Sequence, residues 1–333
     1  MRKIVCMILC TSFILFACSS SSEDAGNNKE TEKITIANWS KLITEQTNLL
    51  VDEEKGFFSK KGLEVEIIPG NGGGDAIKNI LSGNADIAFT DPGSLFFALD
   101  QGEKLKVIYN IYPQNVFNIV SLKENNLTRP EDLKGKTIGV YSLSSGTRQN
   151  LLIALHQAGL KENDVKIVET GLLNFAPLIQ GQVDATAATD TGLYTGQQKG
   201  LGEVDVIEVK DYLNMPSDVF VVTEKYYKEN EALLKAFLQS YKESAEWMIE
   251  NPNEAAELAA EYAIDGQDTA MNLEIIKLRN KSSIYKEDDY RLGEVDPEVL
   301  QDAADTYFEL GLIKKKLDMN EVIDDLLYEE REN

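Results

Sequence analysis

The chain is short of the residues that carry most catalytic and metal chemistry. Its 333 residues include one histidine, His156, and three cysteines, Cys6, Cys10 and Cys18. All three thiols lie near the N-terminus, so the body of the chain excludes disulfides and thiolate metal sites. A Ser-His-Asp triad lacks a credible base, because His156 falls late in a predicted helix and suits an exposed or interface position. Long apolar runs are scarce: Ile4 to Phe16 is the longest, and it is too short to span a bilayer comfortably. Positive charge is in deficit, with 33 Lys and Arg against 56 Asp and Glu and a net charge of −23. That balance excludes nucleic acid and anionic membrane surfaces as electrostatic partners. Acidic clusters such as Glu287-Asp288-Asp289 lack calcium-loop spacing. No cofactor, no metal and no enzymatic activity are expected.

What is present begins at the N-terminus. Arg2 and Lys3 precede the apolar run, which ends in Leu15-Phe16-Ala17-Cys18 followed by serines. Residues 1–17 read as a signal peptide. The small and apolar residues before Cys18 resemble the lipobox of bacterial lipoproteins, which implies cleavage before Cys18 and lipidation of its thiol. Residues 18–32 are polar and poor in aromatics, a flexible leash between lipid and domain. The expected location is extracytoplasmic, tethered to a bacterial membrane.

From Lys33 apolar strands alternate with helical patterns, an order that argues for an α/β sheet with helices on both faces. Strands are expected at Ile34–Trp39, Leu63–Pro69, Ala85–Thr90 and Lys106–Tyr112, with helices at Thr44–Phe58, Asp75–Ser82 and Pro92–Gln101. The pattern restarts at Thr137–Tyr141 and carries a weak internal echo. Gly83-Asn84-Ala85-Asp86 leads to Thr90-Asp91, and Gly181-Gln182-Val183-Asp184 leads to Thr189-Asp190. Two extended segments, Gln114–Leu122 and Ser217–Thr223, join the halves and would serve as a hinge. Helices follow, the last at Asn320–Tyr328. The organisation expected is residues 33–116 and 218–333 in one lobe and 117–217 in the other.

Three stretches make the chain resemble a known family. They are Glu54-Lys55-Gly56-Phe57-Phe58 before Gly62-Leu63-Glu64-Val65, then Gly83 to Ala88, then Leu133-Lys134-Gly135-Lys136-Thr137-Ile138-Gly139-Val140. Nearly the whole mature chain is similar to solute-binding proteins of ATP-binding-cassette importers, the group for sulfonates and taurine and for thiamine-pyrimidine precursors. Ser145-Gly146-Thr147 and the Leu-rich helix after it resemble the sulfonate group in particular. The resemblance implies a two-lobed type II periplasmic-binding-protein fold with mixed sheets and two crossover strands. It also implies a monomer that captures a small organic solute and delivers it to a permease with its ATPase. Pyrimidine-synthesising enzymes resemble this fold too, but their clustered His and Cys residues are absent here. An extracellular sensor or enzyme on the same fold is the alternative.

Candidate ligand residues cluster where strands end, the usual place for sites in open α/β sheets. Ser144, Ser145, Gly146 and Thr147 open a helix, where free N–H groups and the macrodipole attract anions. Trp39, followed by Ser40, suits stacking on a flat ligand or a place in the core. Gly73, Gly74 and Asp75 bring backbone donors near the cleft or form a surface turn. Thr90, Asp91, Thr189 and Asp190 face the cleft or cap the next helices. Tyr141 and Tyr194 offer stacking and a hydroxyl, or lobe packing. Phe117 lies on a crossover, and Asn174 and Phe175 open a helix of the second lobe. Arg148 is the nearest candidate for a cleft arginine. An anionic sulfonate and a flat heterocycle both remain open as ligands.

Overall fold

A computed structural model describes residues 31–171, 175–284 and 290–328. The first stretch runs β1 (Glu32–Ala37), α1 (Thr47–Leu50), α2 (Asp52–Lys55), β2 (Leu63–Ile68), α3 (Gly73–Leu81), β3 (Ile87–Thr90), α4 (Pro92–Gln101) and β4 (Leu105–Tyr112). The second runs β5 (Phe117–Leu122), β6 (Thr137–Val140), α5 (Gly146–Gln157), β7 (Lys166–Glu169), α6 (Ala176–Ile179), β8 (Ala185–Thr189), α7 (Asp190–Gln198) and β9 (Val204–Glu208). Then come β10 (Asp218–Thr223), α8 (Glu224–Glu229), α9 (Glu231–Glu250), α10 (Pro252–Tyr262), α11 (Thr269–Ser282) and α12 (Pro297–Glu309).

The strands form two sheets of one design. The first has the order β2-β1-β3-β10-β4 and the second β7-β6-β8-β5-β9. In each, three parallel strands meet one antiparallel strand that arrives by crossing from the other half. Both sheets are therefore mixed. Strand alternation builds a core on either face of the first sheet. Val219 and Val221 pack with Leu95, Phe96 and Tyr307, whereas Phe220 and Val222 pack with Phe58, Phe237 and Tyr241. The second sheet does the same, with Ile119 toward α5 and Val120 toward Phe175 and Leu178.

The crossovers are shorter than the sequence suggests. Phe117–Leu122 and Asp218–Thr223 are full strands, each paired on both sides. Residues 113–116 and 212–217 remain as connectors, and they are bonded to each other. The amide of Val116 donates to Ser217 Oγ (2.9 Å), and that hydroxyl donates to Gln114 O (2.6 Å). Two expected helices also differ. Thr44–Phe58 breaks into a 3-10 turn and two short helices, ended by Gly56 at φ 70°. Asn320–Tyr328 is not a helix: Val107 donates to Val322 O and accepts from Asp324 N, so this segment extends the edge of the first sheet beyond β4. An open edge offers hydrogen bonds that outweigh local helix propensity.

Candidate functional site

The cleft between the two sheets is walled by residues that leave strand ends. An outer chamber of about 330 Å³ and an inner one of about 40 Å³ share Trp39, Glu45, Tyr141, Thr147 and Thr189 as lining. Trp39 follows β1 and Tyr141 follows β6, one from each half. Their rings meet edge to face, centroids 5.9 Å apart at 86°. Ile43, Phe175, Ile179 and Ile275 complete an apolar wall around the outer chamber. The two aromatics, in contact with each other, and the aliphatic side chains make an apolar wall against which a flat ring can pack, and Glu45, Lys199 and Asp265 add charged groups to the lining.

The inner chamber is acidic. Asp91 and Asp218 line it, both buried. Burial pushes the Asp91 carboxyl up to about 6, although Ser94 opposes the shift through its backbone N–H and hydroxyl, both at 2.8 Å. Asp218 is driven well above the usual carboxylate range by burial, then by neighbouring Glu45 and Asp91, with Arg279 pulling the other way. Both buried carboxyls thus hold a proton more tightly than a free carboxylate does.

Arg279, on α11, is the only arginine lining either chamber among the described residues, and it is 1 % exposed. Its Nε and Nη2 donate to Glu45 Oε2 at 3.2 and 2.9 Å, and its guanidinium lies 5.0 Å from the Tyr112 ring centroid. Nη2 also reaches the opposite half, 3.0 Å from Asp190 Oδ1 and 2.7 Å from Thr191 Oγ1. Nη1 is buried without a hydrogen-bond partner, and so is Trp39 Nε1 on the same chamber. Both atoms are shut off from solvent in this conformation, and each carries the cost of an unmade buried hydrogen bond. No apolar periodicity announced Arg279; the one signal was an arginine within a helical stretch that also buries Asn272 and Asn280. Arg148, the arginine expected nearest the cleft, instead pairs bidentately with Glu162.

The predicted anion receptor is built differently from expectation. Ser145, Gly146 and Thr147 do line the inner chamber. However, the Ser145 hydroxyl lies 2.7 Å from both Ser142 O and Thr147 Oγ1, and Thr147 Oγ1 accepts from Tyr141 N at 2.9 Å. These hydroxyls are engaged in shaping the turn. Asp91 faces the same helix start: a Cβ on Gly146 would lie 3.3 Å from its Cγ. A carboxyl thus stands beside the start of α5, and while ionised it would repel an anionic group brought into the same chamber.

The other candidates fall on either side of the cleft wall. Gly73 lines the inner chamber, and its lack of a side chain is required, because a Cβ there would be 2.3 Å from Asp91 Oδ2. Gly74 donates to Ser144 O across the halves (2.9 Å), and Ser144 Oγ donates to Asn71 O (2.9 Å). Both thus join the halves rather than line a chamber. Asp75 closes its own turn by accepting from Asn71 N. Ser40 is buried and donates to Lys41 O, and Thr90 is buried behind Gly73. Thr189 lines both chambers and caps α7 by accepting from Gly192 N at 3.2 Å. Asp190 and Tyr194 line a separate hollow of about 380 Å³ with Phe117. His156 contacts Leu310 O (2.7 Å), away from the chambers. Asn174 and Cys18 lie outside the described residues. Glu45, Asp218, Thr191 and Arg279 were missed from the sequence, since only the fold brings them together.

The family model described as NMT1/THI5 like matches residues 43–255. The formylaminopyrimidine-binding protein of Halalkalibacterium halodurans is 25% identical over 257 residues, 76% of each chain. The riboflavin-binding protein of Chloroflexus aurantiacus is 24% identical over 276 residues, 80% of this chain and 78% of that one. In structure, the alkanesulfonate-binding protein of Xanthomonas axonopodis pv. citri superposes with a TM-score of 0.67 at 16% identity, covering 89% of this chain and 99% of that one. That likeness establishes the periplasmic-binding-protein fold expected from the sequence. The expectation that the chain is not an enzyme is overturned by a further relative. The 4-amino-5-hydroxymethyl-2-methylpyrimidine phosphate synthase of Uromyces fabae is 24% identical over 240 residues, 67% of this chain and 68% of that one.

Proposed function

The chain belongs to the NMT1/THI5 like family, and from that premise we propose that it captures a flat nitrogen heterocycle between its two halves for import. The halves are residues 33–116 with 218–333, and 117–217. Delivery is to a membrane permease of the ATP-binding-cassette type, with the protein acting as a monomer held outside the cytoplasmic membrane by a lipid on Cys18. The observation that carries this reading is the pairing of an aromatic wall, Trp39 with Tyr141, with two buried carboxyls, Asp91 and Asp218. Carboxyl groups accept ring N–H and amino donors, while a sulfonate would meet Asp91 at the start of α5. The charge of Arg279 does not redress this, because Glu45 and Asp190 already pair with it.

Calorimetric titration of purified protein against hydroxymethylpyrimidine, its formylamino relative, riboflavin, taurine and methanesulfonate tests the choice. The heterocycles should bind and raise the melting temperature, as any ligand of the folded state does. Binding by taurine or methanesulfonate alone would overturn it. Acyl labelling that persists in Cys18→Ser would overturn the anchor.

A further inference from the structure

We propose that Asp218 is the residue that selects the ligand, and that it selects a base. Its carboxyl passes a proton to a ring nitrogen, then accepts through its two oxygens from that N–H and from an adjacent amino group. The proposal rests on the heterocycle reading above and narrows it to rings with an amidine-type edge.

Three acids line the inner chamber, and two of them are engaged. Glu45 Oε2 accepts from Arg279 and from the Thr191 hydroxyl. Asp91 Oδ1 accepts from Ser94 N and Oδ2 from the Ser94 hydroxyl, each at 2.8 Å. Asp218 makes no side-chain hydrogen bond among the described residues, although it is only 8 % exposed. Unlike Arg279 Nη1, its oxygens are not shut off from solvent. It opens β10 opposite Tyr112 on β4, so a paired strand holds it in place. Burial, then Glu45 and Asp91, keep a proton on it, against the pull of Arg279. Tyr112 and Tyr241 also interact with it, and burial raises both phenols, so they stay neutral. Arg279 is already balanced by Glu45 and Asp190, so an ionised Asp218 lacks a counter-ion within the protein. A base supplies one: the carboxyl O–H breaks, the ring N–H forms, and the resulting charges face each other. The chamber sets the size of the head. It measures about 40 Å³, whereas a cavity that takes benzene measures about 150 Å³. Only the amidine edge enters, and the ring stays outside against Trp39 and Tyr141, which line both chambers.

The test compares hydroxymethylpyrimidine, which carries an amino group beside a ring nitrogen, with its oxo counterpart. There a carbonyl replaces the amino group and the ring is no longer basic. Wild-type protein should favour the amino form by about ten- to a hundredfold, the range for a hydrogen bond to a charged group. Asp218→Asn removes the transferable proton with little change of shape. It should bring the two affinities within about threefold by weakening the amino form. Asp91→Asn should keep the preference, because Ser94 already holds that side chain. Nitrogen NMR of isotopically labelled hydroxymethylpyrimidine gives a readout that a structural role would not move. At mildly alkaline pH the free base is neutral. Bound to wild-type protein, its ring nitrogen should show the large upfield shift of a protonated ring, and bound to Asp218→Asn it should not. A neutral ring nitrogen in the wild-type complex would overturn the proton transfer, whether or not the variants fold. A preference undiminished in Asp218→Asn, or lost in Asp91→Asn instead, would overturn the assignment to Asp218. If wild-type protein binds neither pyrimidine nor riboflavin, the heterocycle reading falls and takes this one with it. If it binds the oxo form as tightly as the amino form, or riboflavin alone, that reading stands and only the selection of a base falls.

Discussion

The two sheets share one strand order, yet they present different chemistry at matching positions. In both, an Asp at the strand start pins its neighbour: Asp86 accepts from Thr35 N at 2.8 Å, and Asp184 accepts from Thr137 N at 2.7 Å. At the far end of those strands the Thr-Asp pairs diverge by one residue. Asp91 caps α4, whereas in the second half Thr189 caps α7 and Asp190 is released to meet Arg279. The first half thus buries an acid in the inner chamber, and the second offers an acid to a cross-cleft ion pair. Shared topology fixes where the site lies. The register of the helix cap decides what each half contributes to it.

Removing the arginine that joins the halves should have the largest effect. Arg279→Met leaves Glu45 buried without its cation, a loss of about 3–5 kcal/mol for a broken buried pair. Adding Glu45→Gln should recover part of that loss in urea denaturation. Equal midpoints for the single and double variants would mean that Thr191 alone satisfies Glu45.

Asp91 provides the next contrast. Its folded-state carboxyl is raised from 3.8 to about 6 by burial, so the folded chain keeps a proton that the unfolded chain has released. Stability therefore falls as pH rises through that window and levels off above it, with a penalty of about 3 kcal/mol. Asp91→Asn keeps an acceptor for Ser94 N and should remove that slope, stabilising the protein above the window and not below it. A slope unchanged by the substitution would assign the effect to another group, Asp218 being the first to examine.

Much of this scaffold is legible in the sequence, because strands, Gly-ended helices and the Asp-strand echo are local patterns. The capping alternative for Asp91 is equally local, a side chain reaching three residues ahead. The Glu45–Arg279 pair spans 234 residues and carries no periodic signal. A hydrophobic pattern reports which face is buried, and it is silent where charged side chains are buried against each other. The C-terminal segment fails for a related reason, since its partner is the open edge at β4 rather than its own backbone.

A smaller difference separates the caps themselves. Thr189→Ala removes the hydroxyl that accepts from Gly192 N and should cost about 1 kcal/mol of stability. Thr90→Ala removes no cap, because Asp91 performs that role, and its hydroxyl has only a 3.5 Å contact with Asp91 O. Equal losses on thermal denaturation would undo the one-residue shift between the halves.

The smallest effect distinguishes two neighbouring serines. Ser144 Oγ donates to Asn71 O across the cleft, at the surface, where water can replace it once the halves part. Ser144→Ala should therefore leave the ligand-free melting temperature nearly unchanged. It should weaken binding of the heterocycle by about 0.5–1 kcal/mol, the net worth of one ordinary hydrogen bond. Ser145 is buried, and its hydroxyl links Ser142 O to Thr147 Oγ1 within one half. Its loss disturbs the turn whether the cleft is open or closed, so Ser145→Ala should lower the melting temperature with or without ligand. The opposite pattern would be loss of taurine or methanesulfonate binding in Ser145→Ala on an undisturbed fold, with Ser144→Ala silent. That result would mean the start of α5 receives an anion after all, and that Asp91 is protonated when it does.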